Sequence, residues 1–212
     1  MNEELKKNAF ISVYDKNGIV EFAWGLIRFG WKLMSAGGTY RLLAEQQHLP
    51  VVDLGEKVGA PILGHRVMTL SREFCASLLA RDVPEDWAEL GRLGMPWIDL
   101  VCNDFYPLQQ TIAKPGVTLA EVVEQIDIGG PNMVRAAAKS GRIVICDPAD
   151  RSSVLRLLYK GGGAVSPDIR NALAIKAELT VADYCLASAR FRQTLALIQR
   201  QSFQEVQLPA LP

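Results

Sequence analysis

Two short polar segments each follow an apolar run and contain residue types suited to binding an anion. The first is Ser12–Gly18, which includes Lys16, and the second is Ser35–Thr39, in which a Gly-Gly pair leads into a helical pattern. Backbone N–H groups at such a helix start, together with the Thr39 hydroxyl and the Lys16 ammonium, could converge on a phosphate. An ordinary helix-capping turn also explains the Gly-Gly-Thr sequence, so both uses stay open from these residues alone.

Three further segments contain groups that could bind or transfer protons. Arg66 lies in the turn Gly64–Leu70, and Tyr106 follows another apolar run. Asp127 lies two residues before a flexible Gly-Gly pair, and Lys139 ends the helical pattern that follows this pair. The acid and the lysine could form a proton-transfer pair. The common alternatives are a solvated surface arginine, a packing tyrosine and a plain salt bridge.

Apolar runs alternate with helical periodicity along the chain, which predicts one α/β domain with a mainly parallel sheet. The predicted strands are Ala9–Tyr14, Trp31–Ser35, Pro50–Leu54, Ile98–Asn103 and Arg142–Cys146. The predicted helices are Gly18–Phe29, Thr39–Gln47, Thr118–Gln125, Pro131–Lys139, a segment from Arg151, and a long last helix that starts at Ser166-Pro167-Asp168. In such sheets, ligands bind beyond the carboxyl ends of the strands, where the polar segments described above would lie.

Composition excludes several functional classes. The 212 residues are 49% hydrophobic and 22% charged, with 23 basic and 23 acidic side chains, so we expect a folded domain without a net charge to attract nucleic acid. The longest charge-free run, Phe105–Ala113, is too short to span a membrane, and the N-terminus lacks the apolar core of a signal peptide. We therefore expect a cytoplasmic protein. With only two histidines and four scattered cysteines, we expect no metal site, and we expect Cys102 and Cys146 to be buried.

Taken together and in order, these segments resemble a known family. The segments SVYDKNGIVEFA, SAGGT, GHRVMTL, YP, PGVTLAEVVEQIDIGGPNMVRAAAK and CDPAD resemble the IMP cyclohydrolase domain of the bifunctional purine enzyme that also has AICAR transformylase activity. The resemblance extends from about Phe10 to Asp150. It implies a methylglyoxal-synthase-like, three-layer α/β sandwich. No transformylase segment is recognised, so we expect a stand-alone module.

The resemblance also implies a reaction and a set of site residues. In the family, 5-formamido-AICAR (FAICAR) closes its ring when its carboxamide nitrogen attacks the formyl carbon, and water is lost to give IMP without a metal or other cofactor. The implied catalytic residues are Lys139 and Asp127, which would manage protons, and Tyr106, which would orient the formyl oxygen or the departing water. The implied phosphate and ribose contacts are Ser12, Lys16, Gly37, Gly38, Thr39, Arg66 and Thr69. Further implied substrate contacts are Tyr14, Asp15, Ala36, Val67, Met68, Asn103, Asp104, Ile128 and Gly129.

The chain departs from the family pattern within these same segments. Met68 replaces an active-site lysine, which removes a cationic donor, and Arg72 is a candidate to compensate for it. Asp104 replaces an asparagine, so an ionised group that only accepts hydrogen bonds stands where an amide could also donate. Ala36 replaces a hydroxyl residue that could contact the phosphate.

Three interpretations follow from these departures. The first is a stand-alone cyclohydrolase acting on FAICAR, since Tyr106, Asp127 and Lys139 remain. The second is a diverged member that acts on a different nucleotide in a specialised pathway, and the third is a non-catalytic module that binds a nucleotide phosphate. A purine-type ribonucleotide is the expected ligand. A homodimer and a separate formyltransferase chain are conceivable partners, and the sequence leaves both open.

Overall fold

Five short strands form one parallel sheet in the computed structural model, which describes residues 7–64 and 66–198. Neighbouring strands lie in the order β3, β2, β1, β4, β5, and each neighbouring pair is parallel. The strands are β1 Asn8–Ile11, β2 Lys32–Ser35, β3 Val51–Asp53, β4 Leu100–Cys102 and β5 Ile143–Ile145. The predicted α/β fold with a mainly parallel sheet is confirmed, with strands shorter than the apolar runs suggested.

Helices surround this sheet and connect its strands. They are α1 Ile19–Arg28, α2 Gly37–Tyr40 with a π-helical continuation Arg41–Gln46, α3 Gly55–Val58, α4 Arg72–Leu79, α5 Pro84–Leu93, α6 Leu108–Ile112, α7 Leu119–Glu124, α8 Gly129–Lys139, α9 Arg151–Lys160 and α10 Pro167–Ile198.

The sheet is covered on both faces, because successive residues of a strand point to opposite sides. On one face, Phe10 and Val101 pack in a buried cluster with side chains of α4, α8 and α10. On the other face, Ile11 and Leu100 pack with side chains of α1 and α9. The result is the three-layer sandwich that the sequence resemblance implied.

Several predicted helix boundaries are confirmed by their capping geometry. At the start of α7, the Thr118 hydroxyl accepts from the Glu121 N–H at 3.3 Å, and the Glu121 carboxylate accepts from the Thr118 N–H at 2.8 Å. Helix α8 begins at Gly129, so Pro131 lies in its first turn, where a missing N–H costs little. The long helix α10 begins at Pro167, as predicted.

Helices α3 to α6, between residues 48 and 117, were not predicted from the sequence. Ser71 caps α4 by accepting from the Phe74 N–H at 3.0 Å, and Pro84 is the first residue of α5. Both are known start signals. Leu90 is, however, the one buried residue of α5, so the apolar periodicity there is weak.

Two smaller predictions concern the cysteines and the C-terminal tail. Cys102 and Cys146 are buried, as predicted. The sequence VQLPALP, residues 206–212, has two prolines and no helical periodicity, which predicts a tail that lies along the surface or is disordered. These residues lie outside the part of the chain that the structure describes.

Candidate functional site

A cavity of about 740 Å³ lies at the carboxyl ends of β1 and β4. The chain runs from β1 to β2 and β3 on one side and then returns to β4 on the other side of β1, so the strand order reverses there. Such a reversal opens a crevice in which α/β proteins bind ligands. The predicted site residues that line it are Ser12, Tyr14, Lys16, Ala36, Gly37, Gly38, Thr39, Arg66, Met68, Thr69, Asn103, Asp104, Tyr106, Asp127, Ile128 and Gly129.

The loops that follow β1 and β4 are joined by one buried ion pair. The N–H groups of Tyr14 and Asp15 both donate to the Asp104 carboxylate, the second at 3.1 Å. Arg151, at the start of α9, donates to the same carboxylate at 3.2 Å and to the carbonyls of Asn17 and Asp15 at 2.7 and 2.9 Å. The Arg151 and Asp104 side chains are 6% and 11% exposed. We call this arrangement the β1–β4 clamp.

The clamp shows what the replacement of asparagine by Asp104 does locally. Burial raises the pKa of Asp104, while the N–H groups of Tyr14 and Asp15 and the charge of Arg151 act to lower it. Both carboxylate oxygens bond to the protein's own groups. Asp104 therefore holds the backbone of the site together, in addition to lining it.

Lys16 lies at the edge of the cavity and bonds to its own loop. Its ammonium donates to the carbonyls of Val13 and, at 3.3 Å, Tyr14. Burial lowers the pKa of Lys16, the charge of Asp104 raises it, and the charge of Arg151 lowers it. A bound anion would favour the charged form of the lysine and give it a stronger partner.

The Gly-Gly turn after β2 is held in place by a buried hydroxyl. Thr39, 2% exposed, accepts from the Val13 N–H and donates to the Val13 carbonyl, each at 3.1 Å. Gly37 has a φ of 55°, which favours glycine. Helix starts present N–H groups that lack a partner within the helix, so Gly37 and Gly38 can offer donors to an anion. Arg41 also lines the cavity, with its Nη2 at 4.0 Å from the place where a Cβ on Gly38 would stand.

The start of α8 packs directly against the end of β4. A Cβ on Gly130 would lie 2.5 Å from Asp127 Oδ2, 2.8 Å from Asn103 Oδ1 and 3.0 Å from Phe105 Cδ1. The Gly130 N–H donates to Asp127 Oδ1 at 2.9 Å. Glycine is therefore required for the close approach that brings Asp127 next to the residues after β4.

Asp127 and Tyr106 face the same cavity with perturbed acidity. Burial raises the pKa of Asp127, and the N–H groups of Gly130 and Gly129 act against it. Burial, and then the charge of Asp127, raise the pKa of Tyr106. A carboxylate with a raised pKa is a better proton acceptor near neutral pH, and a neutral tyrosine can donate a hydrogen bond. The ring of Tyr106 also meets that of Tyr14 edge to face, with centroids 5.9 Å apart.

Residues 59–64 and 66–70 form the outer wall of the cavity and are largely exposed. Arg66 Nη2 contacts both carboxylate oxygens of Glu124 at 2.8 and 3.0 Å. Thr69 Oγ1 lies 2.5 Å from the place where a Cβ on Gly129 would stand. Met68 also lines the cavity, so the position at which the family pattern has a lysine belongs to the site.

Other predicted residues lie outside this cavity. Val67 forms an isolated antiparallel bridge with Ile62, and Asp15 belongs to the clamp. Arg72 is 85% exposed and pairs with Glu73 at 3.6 Å, so it does not replace the missing lysine of the site.

Lys139 is not brought into the cavity within one chain. It ends α8, about 15 Å along the helix axis from Gly129 at the usual rise per residue. It lines a second groove of about 690 Å³ between α8 and α10, and Asp127 also lines that groove. The expected pairing of Asp127 with Lys139 therefore does not form inside a single chain.

Some residues of the site were missed by sequence reasoning. Arg41 could have been found, because it lies three residues after Gly38 in a helical segment. Arg151 and Tyr184, which hold the site loops from α9 and α10, carried no local signal, since their partners lie far away in the sequence.

The part of the chain that the structure describes contains neither a candidate metal site nor a candidate membrane-spanning helix. Among residues 7–64 and 66–198, no group of three or more His, Cys, Asp or Glu side chains is placed to hold a metal ion. Within the same residues, no helix is both long and apolar enough to cross a bilayer.

Comparison with known proteins finds related sequences and a related structure. The model of the MGS-like domain matches residues 18–132. The bifunctional purine biosynthesis protein PurH of Bacillus cereus (strain AH820) is 45% identical over 176 residues, covering 81% of this chain and 34% of that protein. PurH of Trichormus variabilis (strain ATCC 29413 / PCC 7937) is 43% identical over 188 residues, covering 86% and 37%.

A solved structure is similar over nearly its whole length. The crystal structure of ForH has a TM-score of 0.76 and 38% identity, covering 88% of this chain and 98% of ForH. The chain thus spans about a third of the length of the PurH proteins that it matches, and nearly all of ForH.

Proposed function

Because the chain belongs to the MGS-like domain family, we propose that it binds a purine-type ribonucleotide and closes the ring of FAICAR to give IMP. The single observation that carries the proposal is that Asp127 and Tyr106 share one cavity with the Gly37-Gly38 turn. One side of that cavity offers anion-binding groups and another offers a proton acceptor and a hydrogen-bond donor. A phosphorylated substrate that must move protons matches both.

Ring closure requires that the two reacting groups are oriented and that protons are transferred. A bond forms between the carboxamide nitrogen and the formyl carbon, and the formyl oxygen leaves as water. The two protons of that water come from the carboxamide nitrogen and the formamide nitrogen. A site that fixes the two groups in contact supplies much of the rate increase, and general acid–base groups supply the rest.

The residues take roles that follow from their positions. We assign the phosphate to the N–H groups of Gly37 and Gly38, with Lys16 and Arg41 as cations beside them. Asp127, with its raised pKa, accepts a proton from the carboxamide nitrogen. Tyr106 donates to the formyl oxygen.

Lys139 takes part from a second copy of the chain. Its position at the far end of α8 separates it from the Asp127 of its own chain, while it lines an open groove between α8 and α10. We assign the contact between two copies to this groove, in an arrangement that places Lys139 of one copy beside Asp127 of the other. This makes the proposed enzyme a homodimer.

The first experiment is an absorbance assay of IMP formation from FAICAR, compared with uncatalysed closure. We expect turnover by the wild-type chain, and its loss in Lys139→Ala and Asp127→Asn. The matched control is Lys160→Ala, because Lys160 lies in the last turn of α9 as Lys139 does in α8. Retained turnover in Lys139→Ala would remove that lysine from the mechanism, and no turnover by the wild-type chain would contradict the proposed reaction.

A mixing experiment tests whether Lys139 acts across two copies. The Lys139→Ala and Asp127→Asn chains, each inactive alone, are unfolded together and refolded as a mixture. Mixed dimers would contain one site with both native groups, so part of the activity should return. Failure to regain activity, with mixed dimers shown by native mass spectrometry, would contradict the assignment of Lys139 to a second copy.

A different nucleotide substrate is the second candidate, and Met68 favours it. This residue lines the cavity where the family pattern has a lysine, so the site is less cationic than that pattern predicts. The variant Met68→Lys should turn over FAICAR faster if the chain is a slowed cyclohydrolase. An unchanged or lower rate, together with weak IMP binding by the wild-type chain, would indicate a site adapted to another nucleotide.

A further inference from the structure

Tyr184 of helix α10 bonds to the backbone on both sides of Ile126. Its hydroxyl accepts from the Asp127 N–H at 2.8 Å and donates to the Gln125 carbonyl at 3.3 Å. The side chain belongs to a small buried cluster, and the residue is 9% exposed. One hydroxyl therefore satisfies a donor and an acceptor of the turn that presents Asp127.

The ring of Tyr184 also contacts the loop that carries Tyr106. It meets the ring of Phe105 edge to face, with centroids 5.1 Å apart. Phe105 directly precedes Tyr106 and lies at 3.0 Å from the place where a Cβ on Gly130 would stand. Tyr184 therefore touches the loop after β4 through its ring and the turn before α8 through its hydroxyl.

We propose that Tyr184 is a positioning residue that fixes Asp127 relative to Tyr106. The inference rests on the proposed function, because it concerns the two groups assigned to proton transfer there. The ring alone would pack α10 against Phe105, whereas the hydroxyl determines where the Asp127 backbone sits. Removing the hydroxyl leaves the Asp127 N–H without its partner and allows the turn to move.

The variant Tyr184→Phe keeps the ring and removes the hydroxyl. We expect kcat for FAICAR to fall roughly 10- to 100-fold, since small displacements of reacting groups have effects of this size. The KM should stay within about two-fold, because the phosphate contacts lie at the β1 and β2 loops, away from Tyr184. A general loss of packing would instead change both constants or the folded fraction.

The matched control is Thr180→Val, one turn earlier on the same helix. The Thr180 hydroxyl donates to the Lys176 carbonyl at 2.8 Å and accepts from Cys146 at 3.5 Å, away from the Asp127 turn. The variant Thr180→Val removes a hydroxyl from α10 that contacts neither the Asp127 turn nor the loop that carries Tyr106. We expect kcat within about two-fold of the wild type.

Amide hydrogen exchange followed by NMR tests the inference without any substrate. In Tyr184→Phe the Asp127 amide should exchange at least roughly ten-fold faster, while the Val144 amide in the central sheet exchanges as in the wild type. Unchanged exchange at Asp127, or an unchanged kcat in an active protein, would overturn the positioning role. If the wild-type chain does not convert FAICAR, the proposed function fails, and the exchange rate still decides whether Tyr184 holds the turn.

Discussion

Two walls of the same cavity are built in opposite ways. The β1–β4 clamp is buried and holds the backbone of the loop after β1 through several bonds to Asp104 and Arg151. The outer wall, residues 59–64 and 66–70, exposes Ile62 and Leu63 by 60% and 69% and contacts the rest of the site through the surface ion pair between Arg66 and Glu124. Segments with few buried contacts open at lower free energy than buried ones. The clamp is therefore suited to holding the loops of the site in place, and the outer wall to admitting a ligand.

Removing the cation of the clamp should produce the largest effect. We expect Arg151→Met to lower the free energy of unfolding by about 3 kcal/mol, because it leaves the Asp104 carboxylate buried without its partner. Urea denaturation measures the loss. The control Arg156→Met, on the exposed side of α9 where Arg156 contacts two serine hydroxyls, should change stability by less than about 0.5 kcal/mol.

The same variant should show a characteristic pH dependence. Burial already raises the pKa of Asp104 above its unfolded value, and loss of Arg151 removes a charge that lowers it. A carboxyl group with a raised folded pKa destabilises the fold as it ionises, so the difference between variant and wild type should grow as pH rises through the carboxyl range. At low pH, where Asp104 is protonated, the difference should shrink. A difference that is constant with pH would mean that Arg151 acts by packing alone.

Filling the contact between α8 and β4 should produce the next largest effect. We expect Gly130→Ala to destabilise the fold by about 2 kcal/mol, because a Cβ there would press on Asp127, Asn103 and Phe105. The control is Gly91→Ala in α5, where a Cβ would meet no atom within 4 Å. Alanine should stabilise that exposed helix by about 0.5 kcal/mol. Equal effects in thermal unfolding of the two variants would show that the α8 contact is looser than its distances indicate.

The contrast between the walls also marks what the sequence can predict. The five strands, the Thr118–Glu121 capping box and the start of α10 depend on local patterns, and all of these are confirmed. The cavity followed from the same patterns, because the loops after parallel strands must share one edge of the sheet. Arg151 could not be assigned, since its partners lie 47 to 136 residues away and no local pattern records them. The separation of Lys139 from Asp127 could have been predicted as well, because the predicted helix Pro131–Lys139 lies between them and rises about 1.5 Å per residue.

A smaller loss of stability is expected where Thr39 of the Gly-Gly turn bonds to the loop after β1. Thr39→Val should cost about 1 to 2 kcal/mol, since it leaves the N–H and carbonyl of Val13 buried without the hydroxyl that they share. The comparison variant is Thr194→Val, whose exposed hydroxyl contacts only its own helix among the bonds described. Chemical denaturation should separate the two by at least about 1 kcal/mol. Similar small losses would mean that water replaces the Thr39 hydroxyl and that the turn is held by other contacts.

The smallest effect on stability should come from the outer wall, where the effect on ligand binding should instead be large. Arg66 and Glu124 are 59% and 48% exposed, so Arg66→Gln should change the free energy of unfolding by less than about 0.5 kcal/mol. If Arg66 exchanges Glu124 for the substrate ribose, the same variant should raise the KM for FAICAR roughly ten-fold, as expected for one charged hydrogen bond. Denaturation and steady-state kinetics on one preparation measure both. A large loss of stability with an unchanged KM would reverse the contrast, because it would make the outer wall structural and leave ligand binding to the clamped side.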